Sequence, residues 1–292
     1  MKPMDQNALQ FAWFRHERSP EGDVYHPQPL AASAWNAEQI HGVAVSGLLA
    51  REVEQAVVAT GRTDLVPARY QLDMFRPAKM AATTTHVEVV REGPRLMLLD
   101  AEFRQGGTTV ARVSVTYLKP TAQPEGEVWS PPESDRPTPP PRKMLPPAGD
   151  LHVPFFTSTE GWSDDFRAHQ NGGRHQTWQT AIPPVAGEEC TPFQAVASIA
   201  DATSMTTNWG SNGVEFINTD VGLALSRPAV DNRIGLRASD HISRDGLAVG
   251  VAEVYDTEGI IGVATITAVA NTRRTVDFSN AKYENPPSSP GA

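Results

Sequence analysis

The strongest constraint on the fold is a set of turn landmarks that occurs twice in this 292-residue chain. The offsets between copies are 151, 153 and 152 residues, and each landmark precedes an apolar-rich segment. The three pairs are Arg76-Pro77 with Arg227-Pro228, Arg91-Glu92-Gly93 with Arg244-Asp245-Gly246, and Gly107 with Gly259. The order and near-constant spacing predict a duplicated unit of about 150 residues.

Each copy contains one helix candidate followed by several strand candidates. In the first copy the helix spans His41 to Val58, with an apolar stripe at Val45, Leu48, Leu49 and Val53. Turn residues separate the strand candidates in both copies, which favours antiparallel hairpins. The predicted strands are 69–75, 83–90, 96–104 and 110–119 in the first copy, and 175–183, 216–225, 233–239, 247–255 and 260–271 in the second.

The second helix candidate, Thr191 to Trp209, carries one acid, Asp201, in a largely small and apolar sequence. Pro192 suits the first turn, where its missing N–H would have had no partner. The sequence predicts one continuous buried helix with Asp201 in its middle. A buried carboxylate is costly unless it is hydrogen-bonded, and desolvation raises its pKa and makes it a better general base. Asp201 is therefore the leading candidate for a catalytic residue.

A proline-rich segment separates the two copies. Ten of the 28 residues from Pro120 to Pro147 are proline, which disfavours a sheet and predicts an extended linker. The predicted domains are residues 1–119, a linker at 120–149, and residues 150–276, with a disordered polar tail at 277–292. A sheet curled around one apolar helix is the hotdog arrangement, so the predicted fold class is α+β, a double hotdog.

Composition narrows the function. The net charge of −9 and the sequence pI near 5.4 argue against a nucleic-acid binder. No apolar run reaches the length of a membrane span, and the N-terminus has no signal-peptide pattern, so we expect a cytoplasmic protein. A single cysteine, Cys190, excludes an intrachain disulfide, and the histidines show no metal-ligand spacing. We expect neither a metal nor a cofactor.

Three segments resemble one family. HGVAVSGLLAREVEQA from His41, ASIADATSM around Asp201 and INTDVGLALSRP from Ile217 resemble acyl-CoA thioesterases of the double-hotdog, TesB-like (acyl-CoA thioesterase II) group. In that group a helix Asp works with a Thr or Ser on the next strand and a Gln on the last strand to position water. The resemblance assigns these three roles to Asp201, Asn218 and Thr267, although Asn218 and Thr267 differ from the expected residue types.

The other part of the predicted site is the start of the first helix. His41-Gly42 is similar to the His-Gly-Gly helix opening of single-hotdog thioesterases, with Val43 in place of the second glycine. Free N–H groups at a helix start can hold a thioester oxygen as negative charge develops. We therefore predict a substrate-binding role for His41, Gly42 and Val43 opposite Asp201. The equivalent helix start in the second copy contains Pro192, and no acid lies near Ala50.

The resemblance implies an acyl-CoA thioesterase with one composite site per chain, an acyl-CoA as its small-molecule partner, and a possible homo-oligomer. Two alternatives remain at this stage. A non-catalytic acyl-CoA or acyl-thioester binding protein would explain the departures at Asn218 and Thr267. A hotdog hydratase or dehydratase would need a histidine placed beside an acid.

Overall fold

The computed structural model of this protein describes residues 11–20, 22–146, 150–271 and 273–279. Its strands are β1 (Phe14–Ser19), β2 (Gly22–Pro27), β3 (Val66–Met74), β4 (Thr84–Gly93), β5 (Leu96–Gln105), β6 (Thr108–Leu118), β7 (Phe155–Thr157), β8 (Gln176–Thr180), β9 (Trp209–Gly210), β10 (Gly213–Val214), β11 (Phe216–Asn218), β12 (Asp220–Leu225), β13 (Arg233–Arg244), β14 (Leu247–Asp256) and β15 (Gly259–Ala270). Its α-helices are α1 (Gly42–Ala59), α2 (Pro192–Ala200) and α3 (Thr203–Asn208).

Eleven of the described strands form one antiparallel sheet. The order is β4-β5-β6-β3-β12-β15-β14-β13-β8-β7, with β11 paired to β15. The two halves of the chain meet where β3 pairs with β12, so that Tyr70 lies opposite Leu223 and Leu72 opposite Val221. All four side chains are buried. The sheet is therefore continuous across the two copies, and the predicted α+β double-hotdog fold is confirmed.

Helices α1 and α2 pack against each other inside this sheet. The buried face of α1 includes Leu48, Leu49 and Val53, and that of α2 includes Phe193 and Val196, so that all five belong to one hydrophobic core. Helix α1 begins one residue after the predicted start, because His41 serves as its N-cap. No helix within the described ranges is long and apolar enough to cross a lipid bilayer.

The prediction of one continuous helix from Thr191 to Trp209 is wrong at Asp201. The chain makes a turn at Asp201 and Ala202, and α3 starts at Thr203. Hydroxyl groups after the turn bond to carbonyls four residues back: Thr206 Oγ1 to Ala202 O at 2.8 Å and Thr207 Oγ1 to Thr203 O at 2.8 Å. The apolar period of the sequence gave no sign of this break.

Part of the proline-rich segment is fixed against the second half. Gln176 Nε2 donates to Thr138 O at 2.7 Å, and the Arg237 guanidinium donates to Asp135 O. Met144 and Leu145 pack against the cluster of Phe155, Trp178 and Tyr255. The portion before Asp135 is mostly exposed. The first part of the segment is thus exposed, as predicted for a linker, and its C-terminal part is held against the second half.

The C-terminal segment also packs on the second half as far as it is described. Phe278 is buried against Phe166 and Trp209, although the sequence placed residue 278 in a disordered tail. Its backbone N–H donates to Gln170 Oε1 at 2.7 Å. The remainder of the predicted tail, residues 280–292, lies outside the described residues.

Candidate active site

The Asp201 carboxylate lies against Gly42 at the start of α1. A Cβ atom added to Gly42 would be 2.4 Å from Asp201 Oδ1 and 2.5 Å from Oδ2, far inside contact distance. Only glycine leaves room for this approach. The acid of the second half and the helix start of the first half therefore meet, as the composite arrangement predicted from the sequence requires.

The N–H groups in the first turn of α1 have different partners. The Val43 N–H donates to the Asp201 carboxylate, and the Ala44 N–H donates to His41 Nδ1 at 3.1 Å. The Val45 N–H reaches the His41 carbonyl. Among the described residues, the Gly42 N–H has no hydrogen-bond partner. The predicted pair of substrate-binding amides is thus reduced to Gly42, because the Val43 amide already holds the acid.

His41 is a structural cap. Its Nδ1 accepts from Ala44, and its Nε2 lies 3.2 Å from the Leu30 carbonyl, which can only accept. This network assigns the neutral tautomer with the proton on Nε2. Burial lowers the pKa of His41 to about 4, against the hydrogen bond to Leu30 O, which raises it. Both ring nitrogens are occupied, so His41 can neither take nor give a proton here without losing a helix-capping or backbone contact.

Asn218 contacts the acid as predicted. It stands near the end of β11, and its Nδ2 donates to Asp201 Oδ1 at 3.0 Å and to Asp220 O at 3.3 Å. An amide can orient a carboxylate without giving it a proton. Asn218 therefore orients one carboxylate oxygen of Asp201 and takes no part in proton transfer.

Thr267 does not reach Asp201. Its side chain lies on the exposed face of β15, opposite to the buried Ile266 and Ala268, because side chains alternate along a strand. The Thr267 hydroxyl instead contacts Asp220 and Thr219, 3.1 Å from Thr219 Oγ1. The predicted partnership of Thr267 with Asp201 is corrected by this geometry.

The electrostatic environment of Asp201 raises its pKa above that of an ordinary aspartate. Burial raises the pKa of Asp201, while the hydrogen bonds from Asn218 and the Val43 N–H lower it. The net direction is upward. A carboxylate with a raised pKa accepts a proton more readily than an ordinary surface aspartate does.

A cavity of about 750 Å³ contains this constellation. Its wall is mainly apolar and aromatic, formed by both halves and by the C-terminal segment; the aromatic members are Phe11, Trp13, Trp35, Phe75, Phe166 and Phe278. Asp201, Asn218 and Gly42 all line it, and Arg76 adds an exposed cation. Its volume is in the usual range for small-molecule sites. No group of three or more His, Cys, Asp or Glu residues in the described part of the chain could hold a metal ion.

The pseudo-symmetric helix start, at α2, holds a carboxylate that the sequence did not reveal. Glu54, one helical turn beyond Ala50, accepts from Thr191 Oγ1 at 2.8 Å and from Gln194 Nε2 at 2.7 Å. Burial raises the pKa of Glu54, and these two hydrogen bonds lower it. Because Thr191 is the N-cap of α2, this carboxylate holds the capping side chain and the Gln194 side chain, and the Thr191 hydroxyl itself accepts from the Gln194 N–H. The start of α1 therefore has a glycine against the acid of the candidate site, whereas the start of α2 has a proline and side chains that are bonded to Glu54.

Glu52, on the same helix, also has several partners. It accepts from Tyr25 at 2.9 Å and Thr85 at 2.7 Å and pairs with Arg51. Arg51 is buried and makes a two-pronged ion pair with Glu188, at 2.5 and 2.6 Å.

The sequence matches two domains of one family. Residues 31–118 match the acyl-CoA thioesterase N-terminal domain, and residues 131–270 match the acyl-CoA thioesterase C-terminal domain. Together the matches cover most of the chain. The chain belongs to the acyl-CoA thioesterase family. A comparison with curated proteins finds no match.

Solved structures agree with this fold. The TesB protein of Mycobacterium avium subspecies paratuberculosis matches at a TM-score of 0.60 and 15% identity, covering 87% of this chain and 95% of its own. The acyl-CoA thioesterase II TesB2 of Mycobacterium marinum matches at 0.53 and 14%, covering 91% and 97%. A hot dog fold protein of unknown function from Alicyclobacillus acidocaldarius matches at 0.59 and 13%, covering 91% and 98%. At these identities the likeness concerns the fold.

Proposed function

We propose that this protein hydrolyses acyl-CoA thioesters to a free acid and coenzyme A at one composite site per chain. The observation that carries the proposal is the contact between Asp201 and Gly42 inside an apolar cavity. It combines a partly buried acid of raised pKa with a helix start that has one N–H unpaired among the described residues. These are the parts that general-base attack on a polarised carbonyl needs.

In the proposed reaction, the thioester oxygen accepts a hydrogen bond from the Gly42 N–H at the positive end of α1. Asp201 takes a proton from a water molecule whose oxygen forms a bond to the carbonyl carbon. The C–S bond then breaks, and the thiolate of coenzyme A leaves and takes up a proton. Asn218 holds Asp201 Oδ1 in place, so the second carboxylate oxygen is available to the water.

One site per chain follows from the different helix starts. At α2, Pro192 lacks an N–H, and the Glu54 carboxylate is bonded to Thr191 and Gln194. A thioester oxygen would there meet a carboxylate, which is also an acceptor. We therefore expect one ligand per chain.

The decisive experiment is a thiol-release assay with acyl-CoAs from acetyl to palmitoyl, using the wild-type protein and Asp201→Asn. Asparagine keeps the shape of the side chain and removes the base, so the hydrolysis rate should fall by roughly 10² to 10⁴. Binding of a non-hydrolysable acyl-CoA analogue should persist and saturate near one per chain. An Asp201→Asn protein with wild-type turnover would refute the proposed role of this acid.

A non-catalytic acyl-CoA binding protein is the second candidate. The observation in its favour is that Thr267 does not reach Asp201, so a family water-positioning contact is missing. It predicts tight analogue binding with no thiol release for any chain length. A hydratase has less support, because both ring nitrogens of His41 are already engaged by the backbone.

A further inference from the structure

The site needs a second polar group to orient water, and Thr267 does not supply it. Asn218 donates to Asp201 Oδ1, and the Val43 N–H donates to the same carboxylate, so both contacts act on the acid. Neither group holds the attacking water. A water held only by Asp201 could rotate about that single hydrogen bond, and a positioned nucleophile requires a second contact.

Five hydroxyl-bearing residues line the cavity, and three are already bonded. Ser198 Oγ donates to Val43 O at 2.9 Å, Ser33 Oγ accepts from the Trp35 N–H at 3.2 Å, and the Thr219 hydroxyl contacts Asp220 and Thr267. Among the described residues, the hydroxyls of Ser204 and Thr180 have no hydrogen-bond partner. Thr180 belongs to β8 and not to the turn that carries Asp201.

Ser204 stands one helical turn after Asp201. Its backbone N–H donates to the Asp201 carbonyl at 3.1 Å, which closes the turn between α2 and α3. Residues three apart in such a turn have neighbouring side chains, with Cβ atoms about 5–6 Å apart. Both side chains line the same cavity, and Ser204 is otherwise buried. The Ser204 hydroxyl therefore follows the carboxylate by one turn and faces the same cavity.

We propose that Ser204 is a catalytic residue that holds the attacking water together with Asp201. The inference rests on the proposed hydrolysis. The water donates two hydrogen bonds, one to Asp201 and one to Ser204 Oγ, which has two acceptor lone pairs. Only the proton directed at Asp201 is transferred. Two fixed hydrogens direct the oxygen lone pair toward the carbonyl carbon. The Ser204 hydroxyl keeps its own proton throughout, so the balance of the hydrolysis is unchanged.

The test compares Ser204→Ala, Ser204→Thr and the matched control Thr207→Ala. Thr207 is on the same helix, does not line the cavity, and its hydroxyl bonds to Thr203 O at 2.8 Å. Ser204→Ala should lower kcat roughly tenfold, the usual effect of one lost hydrogen bond to a polar partner. KM and Tm should change little. Ser204→Thr, which keeps the hydroxyl, should restore most of kcat, and Thr207→Ala should leave kcat unchanged.

Other outcomes overturn the inference. Undiminished kcat in Ser204→Ala would show that the hydroxyl does not hold the water. A loss of kcat that accompanies a lowered Tm and is not restored by Ser204→Thr would assign Ser204 a packing role. The proposed hydrolysis is judged separately, since it fails only if the wild-type protein releases no thiol or if Asp201→Asn is fully active.

Discussion

Ser46 and Ser198 join the two central helices by a reciprocal pair of hydrogen bonds. Ser46 Oγ donates to Ala197 O at 2.6 Å, and Ser198 Oγ donates to Val43 O at 2.9 Å. Each serine thus reaches from its own helix to the backbone of the other. The second bond ends on the turn of α1 that holds the Asp201 carboxylate, so helix packing and site geometry are coupled.

The first prediction concerns Gly42→Ala. The added methyl group would overlap all three atoms of the Asp201 carboxyl group, at 2.4 to 2.6 Å. Displacing the acid by about 1 Å should lower kcat/KM by roughly 10², and overpacking should cost about 1–3 kcal/mol of unfolding free energy. Gly126→Ala is the control, because a Cβ there has no neighbour within 4 Å. Equal activity of the two variants would mean that the close approach has no role.

The second prediction is the pH dependence of activity. Since burial raises the pKa of Asp201 and only the ionised carboxylate is a base, kcat/KM should increase with pH through an apparent pKa above the ordinary value of 3.8. Asp201→Asn should lose this rise of kcat/KM with pH.

The raised pKa of Asp201 also means that the folded state holds this proton more tightly than the unfolded state. Its stabilising contribution is therefore fully present below the ordinary pKa and lost as pH rises through the folded value. A flat rate profile with full activity at pH 4 would contradict this role.

The third prediction concerns His41 and acid stability. Burial lowers the pKa of His41 from 6.5 to about 4, so the unfolded state binds a proton more readily. Stability attributable to His41 should be complete above pH 6.5 and decline as pH falls toward 4. His41→Asn keeps an N-cap side chain without a titrating ring and should flatten this window, whereas His41→Ala should be about 1 kcal/mol less stable than His41→Asn at each pH. Urea unfolding at pH 7.5, 5.5 and 4.5 measures both effects.

The fourth prediction concerns the ion pair between the halves. Glu188→Gln removes one charge from a contact in which Arg51 is buried and Glu188 is partly exposed, so unfolding free energy should fall by about 1–2 kcal/mol. Glu17→Gln, at an exposed pair with Arg15, should change it by less than about 1 kcal/mol. Chemical denaturation of both variants separates the two cases. Equal losses of unfolding free energy in the two variants would indicate that burial of Arg51 does not strengthen its ion pair with Glu188.

The fifth prediction concerns the proline-rich linker. The sequence predicts that proteolysis begins between Pro124 and Met144, and exposure narrows this range: Val128 is 90% and Trp129 is 84% exposed. Chymotrypsin should cut first after Trp129, and Trp129→Ala should delay that cut. The two fragments should elute together in gel filtration, because β3 and β12 are paired. Separation of the fragments without denaturant would contradict this expectation.

The sequence predicted the fold better than the details of the site. Local signals, such as His41-Gly42 before an apolar stripe, located α1 to within one residue. The contacts of Asp201 with Gly42 and Asn218 were expected from the resemblance to known thioesterases. Thr267 was misassigned because a shift of one residue along a strand moves a side chain to the other face.

Two features needed three-dimensional structure. Ser204 follows an interruption of the helix that its apolar period does not indicate, and its hydroxyl is identified only by the absence of a partner among the described residues. Glu54 lies one turn beyond the position equivalent to Asp201. It reaches the N-terminal end of α2 because its side chain is long and because α1 and α2 pack together. Neither effect has a counterpart in local sequence.

The two copies belong to one polypeptide chain, and this covalent joining has an evolutionary consequence. In a dimer of identical chains, every substitution enters both sites at once, so an altered helix start would damage both. In this chain the residues at 50 and 201, and those at 42 and 192, can change separately. One helix start can therefore serve stability, as the start of α2 does through the bonds of Glu54 to Thr191 and Gln194, while the other retains the geometry that a substrate requires.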